Sequence, residues 1–166
     1  TLLPLSHDGL VLLQKGRHQM EAHLHLPVSS MDLEVDFMAE FPGSLSFCIE
    51  GVATHPDRPN WYTHWLILDK NTHMTMGGIG LSGLPDHLGH TQVGYFVDAH
   101  QRRGGVATLA LQALMEWAFL EPGLIAVVAY TPVDNLPSQR VLEHNGFERV
   151  GLEEKDSIII KWEKLR

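Results

Sequence analysis

The sequence predicts an α/β (α+β) fold with about six strands and about four helices, and three observations carry it. The middle of the chain is strand-like, with Trp61 to Leu68 rich in aromatic and β-branched residues. From Gly104 the apolar spacing changes to that of a helix, and a near-continuous apolar run from Leu124 to Tyr130 follows it. The chain has 166 residues, 44% hydrophobic and 19% charged, with no internal repeat and no low-complexity linker. One continuous domain over residues 1–166 is therefore expected.

The elements follow in order. Ser6 or Asp8 can cap a helix from Gly9 through about Leu26, on which Leu10, Leu13, Arg17, Met20 and Leu24 are spaced helically. Ser29 or Ser30 can cap a second helix through Met31, Leu33, Val35, Phe37 and Met38, with Pro42-Gly43 as its stop. Trp61–Leu68 and Met74–Leu81 form a hairpin about Asp69-Lys70-Asn71, and three glycines in the second strand mark a bulge or a close backbone approach. Ser82 to Gly89 is a loop, and Thr91–Val97 adds a third strand to an antiparallel meander. Val106, Leu109, Ala110, Ala113, Leu114, Trp117 and Ala118 then share a helical face, and the remaining face is also largely apolar. Such a helix is expected in the centre of the domain, buried on most sides and ended by Pro122-Gly123. Leu124 to Tyr130 reads as a strand buried on both faces. Asn135 to His144 reads as a short helix closed by Asn145-Gly146, before strands Phe147–Leu152 and Ser157–Trp162 joined by an acidic turn.

Composition narrows the function. A formal charge of −8 argues against nucleic acid as the main partner, and an acidic protein favours cationic substrates such as amines. No apolar run approaches the roughly 20 residues of a membrane span, and the N-terminus lacks a secretory pattern, so a cytoplasmic protein is expected. The single cysteine, Cys48, fits a reducing compartment and reads as a small buried hydrophobe rather than a nucleophile. Eleven histidines are present, but neither His23/His25 nor His87/His90 has a partner at metal-ligand spacing, so no metal is expected.

The sharpest local feature is Gln101-Arg102-Arg103-Gly104-Gly105-Val106-Ala107-Thr108, between a strand and a helix. Two glycines let successive N–H groups converge on one anion, the helix dipole points there, and two arginines add donors. A pyrophosphate fits this environment, whereas the spacings of a Walker loop and of a dinucleotide-binding loop are absent.

Arg102, Gly105 and Ala107 match R-x-x-G-x-A, which resembles the coenzyme A loop of the GNAT superfamily of N-acetyltransferases. Asn135 to Phe147 is similar to the N-x-x-S-x-x-V-L-E-x-x-G-F segment of its RimJ/RimL-type branch, and Gly77–Leu81 and Val93–Val97 resemble that branch's central strands. The resemblance covers about residues 61 to 152. It implies a mixed, strongly bent central sheet of about six or seven strands flanked by about four helices, whose fourth and fifth strands splay apart, with acetyl-CoA (coenzyme A) in the resulting V. It also implies that the backbone of Phe96 and Val97 pairs with the pantetheine arm. Amides from Arg102, Arg103, Gly104, Gly105, Val106, Ala107 and Thr108 would hold the pyrophosphate, and Asn135 would steady the pantetheine or acetyl end. Gly94 is expected at a strand bulge or as a packing glycine under a large neighbour.

Many members of the family draw the proton for the departing thiolate from a tyrosine seven residues after the helix-opening asparagine; here that position is Leu142. Ser138 is the best remaining hydroxyl on that helix face, and Tyr130 is the back-up donor. For the general base Gln92 replaces a glutamate of some relatives, leaving His90, Asp98, Glu50 and His100 as candidates, acting directly or through water. The function implied is acetyl transfer to a primary amine, either a protein or peptide N-terminus or a small amine. Leu142 keeps a non-catalytic acyl-CoA-binding regulatory module as the alternative. Apolar residues in the N-terminal helices or the last strands could support a homodimer, with Trp162 as an anchor or, in its commoner role, as core.

Overall fold

A computed structural model describes residues 1–32, 35–154 and 158–166. The chain runs β1 (Leu2–Pro4), α1 (His7–Lys15), α2 (Arg17–His23), α3 (Val35–Thr54), β2 (His64–Leu68), β3 (Thr75–Leu81), β4 (His90–Val97), α4 (Val106–Ala118), β5 (Ala126–Pro132), α5 (Leu136–His144), β6 (Glu148–Glu154) and β7 (Ile158–Leu165). The strands form one seven-stranded sheet in the order β1-β2-β3-β4-β5-β7-β6. All neighbours are antiparallel except β4 and β5, which are parallel because α4 crosses over between them.

Strand alternation builds a core on each face of the sheet. On β2, Trp65 and Ile67 join the larger cluster with Ile79, Val93, Leu111, Leu114, Met115 and Trp162, while Leu66 and Leu68 join Leu5, Leu10, Met20, Leu45 and Val52 on the other side. Helices α4 and α5 contribute to the first cluster, and α1 to α3 to the second.

Several expectations hold. The hairpin, the third meander strand, the crossover helix and the helix opened by Asn135 are all present. Val127 and its neighbours Ala126, Val128 and Ala129 are buried on both faces, as the apolar run predicts. The glycines of β3 mark the expected close backbone approach, since a side chain at Gly77 would strike the Phe96 carbonyl and one at Gly78 the His64 ring, while the β2–β3 register shift between Ile67 and Leu68 falls at Met76 beside them.

Others need correction. The first helix is two, because Gly16 at φ 155° and ψ 139° adopts a conformation disfavoured for L side chains and turns the chain between α1 and α2. Ser6, not Asp8, is its cap, accepting from the Gly9 amide. Neither Ser29 nor Ser30 caps α3, which starts at Val35; Ser29 is buried and bonds to the Glu21 carboxylate. Pro42 lies inside α3 rather than ending it, since tertiary packing of Leu45 and Val52 outweighs a local breaker. Helix α4 is buried on one face, not on most sides: Ala110, Leu111, Leu114, Met115 and Ala118 pack inward, whereas Leu109 is 66% exposed and Ala113 is exposed. The helix ends at Ala118, before Pro122-Gly123. Strand β1, three residues long, is too short for sequence periodicity to reveal. The expected positions Leu33 and Ser157, and most of the acidic turn before Ser157, lie outside the described residues.

Candidate active site at the splay of two strands

The parallel ladder between β4 and β5 extends from His90↔Ala126 to Gln92↔Val128. Beyond it the strands part around a cleft of about 150 Å³ lined by Val93, Gly94 and Tyr95 on one side and Ala129, Tyr130, Thr131 and Pro132 on the other, with Asn135, Ser138 and Leu142 of the α5 region. The cleft therefore brings together three residues singled out in the sequence, Asn135, Ser138 and Tyr130. Tyr130 is 37% exposed and opens to solvent.

The sequence locally dictates how α5 presents its residues. The Asn135 side-chain oxygen accepts from the Ser138 amide at 3.1 Å, the N-cap bond that starts the helix. That bond occupies the carbonyl side of the amide and leaves its NH2 group as the part able to meet a ligand. Ser138 sits one turn in, its hydroxyl 2.9 Å from the Tyr95 hydroxyl, which also lies 3.2 Å from the Ser138 carbonyl. Burial pushes the Tyr95 phenol up to about 12, against a smaller opposing effect of the Ser138 bond. Leu142 is fully buried in the main core while bordering the cleft, so the position at which many relatives carry tyrosine is apolar packing here.

The glycine loop lies at the start of α4. Asp98 is buried and caps a short 3-10 helix, Ala99–Gln101, by accepting from His100 N, and it also accepts from Asp32 N at 3.0 Å. Arg103 has φ 65° and Gly105 φ 74°, two left-handed turns in three residues. Gly105 is the N-cap of α4, and among the described residues no side chain caps that helix. Its first-turn amides, including those of Val106, Ala107 and Thr108, thus lack intrahelical acceptors and point their dipoles outward. A Cβ on Gly105 would project into open space with nothing within 4 Å, so the approach to these amides is clear of protein. Asn145 fixes the loop to the cleft: its side chain donates to Thr108 O at 3.3 Å and to Val141 O at 2.9 Å, joining the first turn of α4 to the end of α5.

The remaining expectations separate. Phe96 pairs through its backbone with Gly78, and Val97 with Gly77, on the β3 side of β4, while the Phe96 ring stacks on His64 at 5.5 Å. Gly94 is not at a bulge: it faces Gly80 in an unbroken β3–β4 register and borders the cleft instead. None of His90, Asp98, Glu50 and His100 lines the cleft, and Asp98 is engaged as a cap. Tyr95 is the residue that sequence reasoning missed as a site group; its alternation with Val93 and Val97 was the available signal, but it reads equally as core. Cys48 is half-buried in α3, its thiol pushed up to about 11 by burial, which disfavours the nucleophilic thiolate. Among the described residues no three His, Cys, Asp or Glu side chains converge as a metal site, and no helix is long and apolar enough to cross a membrane.

A splayed parallel pair, a helix start behind a glycine turn and a hydroxyl in the cleft are the arrangement that the sequence resemblance implies. The family description "Acetyltransferase (GNAT) domain" matches residues 12–148, and the chain belongs to the GNAT family. Among curated proteins it is 34% identical over 86 residues to the uncharacterized N-acetyltransferase YjdG of Bacillus subtilis, a stretch of 52% of this chain and 51% of that protein. The match thus spans about half the length of that relative. Among solved structures it resembles a ribosomal-protein-S5-alanine acetyltransferase from Vibrio fischeri, with TM-score 0.68, 20% identity and coverage of 99% of this chain and 91% of that one. It also resembles RimL, a ribosomal L7/L12 α-N-protein acetyltransferase in complex with coenzyme A, with TM-score 0.69, 17% identity and coverage of 99% and 92%. At these identities the likeness is one of fold.

Proposed function

We propose that this protein is an N-acetyltransferase of the RimJ/RimL-type branch, moving acetyl from acetyl-CoA to a primary amine by direct attack in a ternary complex, with residues 1–166 acting as one domain. The observation that carries the reading is the cleft between the parting ends of β4 and β5, with Ser138 on its wall. The start of α4 at Gly105 supports it, because an anion there meets the helix dipole and first-turn amides that have no acceptor within the helix. The residues fit coenzyme A: Arg102 to Thr108 would hold the pyrophosphate, the β4 backbone at Phe96 and Val97 the pantetheine, and the Asn135 amide the acetyl end.

When bound, acetyl-CoA supplies the acetyl group as a thioester. Two protons move in the reaction, one leaving the amine and one reaching the sulfur as the C–S bond gives way to the C–N bond. Ser138 Oγ holds the second of these, with Tyr130 as a more exposed alternative. An acceptor that arrives partly neutral needs little help with the first. The acceptor class is a protein or peptide α-amino group or a small amine. The likeness to RimL, an α-N-protein acetyltransferase, favours the former, and the charge of −8 favours cationic amines of either kind.

Isothermal titration is expected to detect acetyl-CoA binding. Gly105→Val is expected to weaken it at least about 10-fold with the fold retained by circular dichroism, because a branched side chain would enter the open approach and strain a left-handed backbone. Absence of binding by the parent protein would overturn the reading. A thiol-release assay over peptides, polyamines and amino acids identifies the acceptor, and turnover with none of them would favour an acyl-CoA-binding regulatory module.

A further inference from the structure

We propose that Tyr95 is a positioning residue that orients the Ser138 hydroxyl, donating its own proton to Ser138 Oγ so that the serine O–H is directed into the cleft. The inference rests on the acetyl-transfer reading above and assigns a role within the same site. A serine inside a helix commonly returns its proton to a carbonyl of the preceding turn, where it is of no use to a ligand. Ser138 is held differently. Its Oγ lies 2.9 Å from Tyr95 Oη, a residue from another element 43 positions away in sequence.

The bookkeeping of donors decides what this contact does. The two hydroxyls have one proton each, and the Ser138 carbonyl only accepts. If Ser138 donated to Tyr95, its proton would be buried between them and Tyr95 would turn its own to the Ser138 carbonyl at 3.2 Å. If Tyr95 donates to Oγ, the serine proton is left to point towards the volume that Gly94, Ala129 and Tyr130 also border. A departing thiolate in that volume would favour the second arrangement, since its charge draws the nearest O–H towards it. The switch costs little, because both arrangements keep Tyr95 bonded to Ser138. Burial keeps the phenol protonated across the physiological range, so Tyr95 remains available as a donor.

The test is a double-mutant cycle in the full chain. Tyr95→Phe removes one oxygen and is expected to lower kcat about 10-fold while leaving KM for acetyl-CoA within a factor of about two, because one oriented hydrogen bond is lost and no binding group is. In a Ser138→Ala background the same change is expected to have no further effect on kcat. A purely structural tyrosine would instead change stability and both parameters, and its effect would persist without the serine. Equal effects of Tyr95→Phe in the two backgrounds, or an unchanged kcat, would overturn the proposal. Should Tyr95→Phe fold poorly, a fluorinated tyrosine incorporated at position 95 preserves shape and alters donor strength. A kcat change that disappears with Ser138→Ala supports the role, and an unchanged kcat overturns it. A parent protein that neither binds acetyl-CoA nor releases thiol fails the wider reading instead, so the two failures are distinct.

Discussion

The His64 ring packs in a triangle with the rings of Phe41 and Phe96, with centroids 5.8 and 5.5 Å away, and it fills the space that a side chain at Gly78 would need. Burial lowers its pKa from the usual 6.5 to about 4, so the folded protein keeps the imidazole neutral where the unfolded chain protonates it. Between those two values the unfolded state binds more protons, and stability therefore rises with pH through that window and is lost as pH falls from 6.5 towards 4. The contribution is on the order of 3 kcal/mol for a shift of this size. Urea unfolding at pH 7 and pH 4.5 is expected to show that slope, and His64→Leu is expected to flatten it. An equal slope in both proteins would mean that other groups carry the acid sensitivity. At this scale sequence reading is weakest: His64 and Tyr95 sit among largely apolar neighbours on their strand faces, and their partners, Phe96 and Ser138, are 32 and 43 positions away.

Helix α5 was legible because its signals are local. Asn135 as cap, Pro137 in the first turn and Gly146 at φ 75° after the end all lie within twelve residues and act on the backbone directly. Asn135→Ala is expected to cost about 1 kcal/mol by removing the acceptor for the Ser138 amide, and thermal unfolding measures it. The same change should reduce turnover more than its stability cost suggests, since Ser138 is placed by that turn. Helix α3 was misread for the opposite reason. Pro42 is a strong local breaker, yet the helix continues to Thr54 because Leu45 and Val52 join the core cluster that also holds Leu66 and Leu68 of β2, residues that no local window contains. Helix α4 shows a third limit. Small and apolar residues all round it suggested deep burial, but alanines and the exposed Leu109 are tolerated on a solvent face, and only the inner stripe packs. The glycine loop before it could be placed from sequence, while the link that Asn145 makes to Thr108 could not, since it spans 37 positions.

The whole molecule depends on β7 being threaded between β5 and β6, because that late strand closes the half of the sheet on the far side of the cleft. It pairs with β5 from Ala126↔Leu165 to Pro132↔Ile159, along the strand whose outer end lines the site. Trp162 anchors the arrangement. Its ring is 1% exposed in the main core, its indole N–H donates to Thr131 Oγ1 at 2.8 Å, and the Arg149 guanidinium of β6 lies 5.0 Å over its face. The expectation that Trp162 could serve as an intermolecular anchor gives way to the core role, since a side chain this enclosed has no face to offer a partner. One residue thus ties β5, β6 and β7 together beside the cleft. Trp162→Ala is expected to destabilise the protein by about 3–5 kcal/mol, enough to threaten folding in a domain of ordinary stability. Trp162→Phe keeps most of the buried area but strands the Thr131 hydroxyl, with an expected loss of about 1–3 kcal/mol. Denaturant midpoints separate the two contributions. If Trp162→Phe were as destabilising as Trp162→Ala, the indole–threonine bond rather than ring volume would be what secures β7 against β5, and the wall of the cleft would depend on a polar contact rather than on packing.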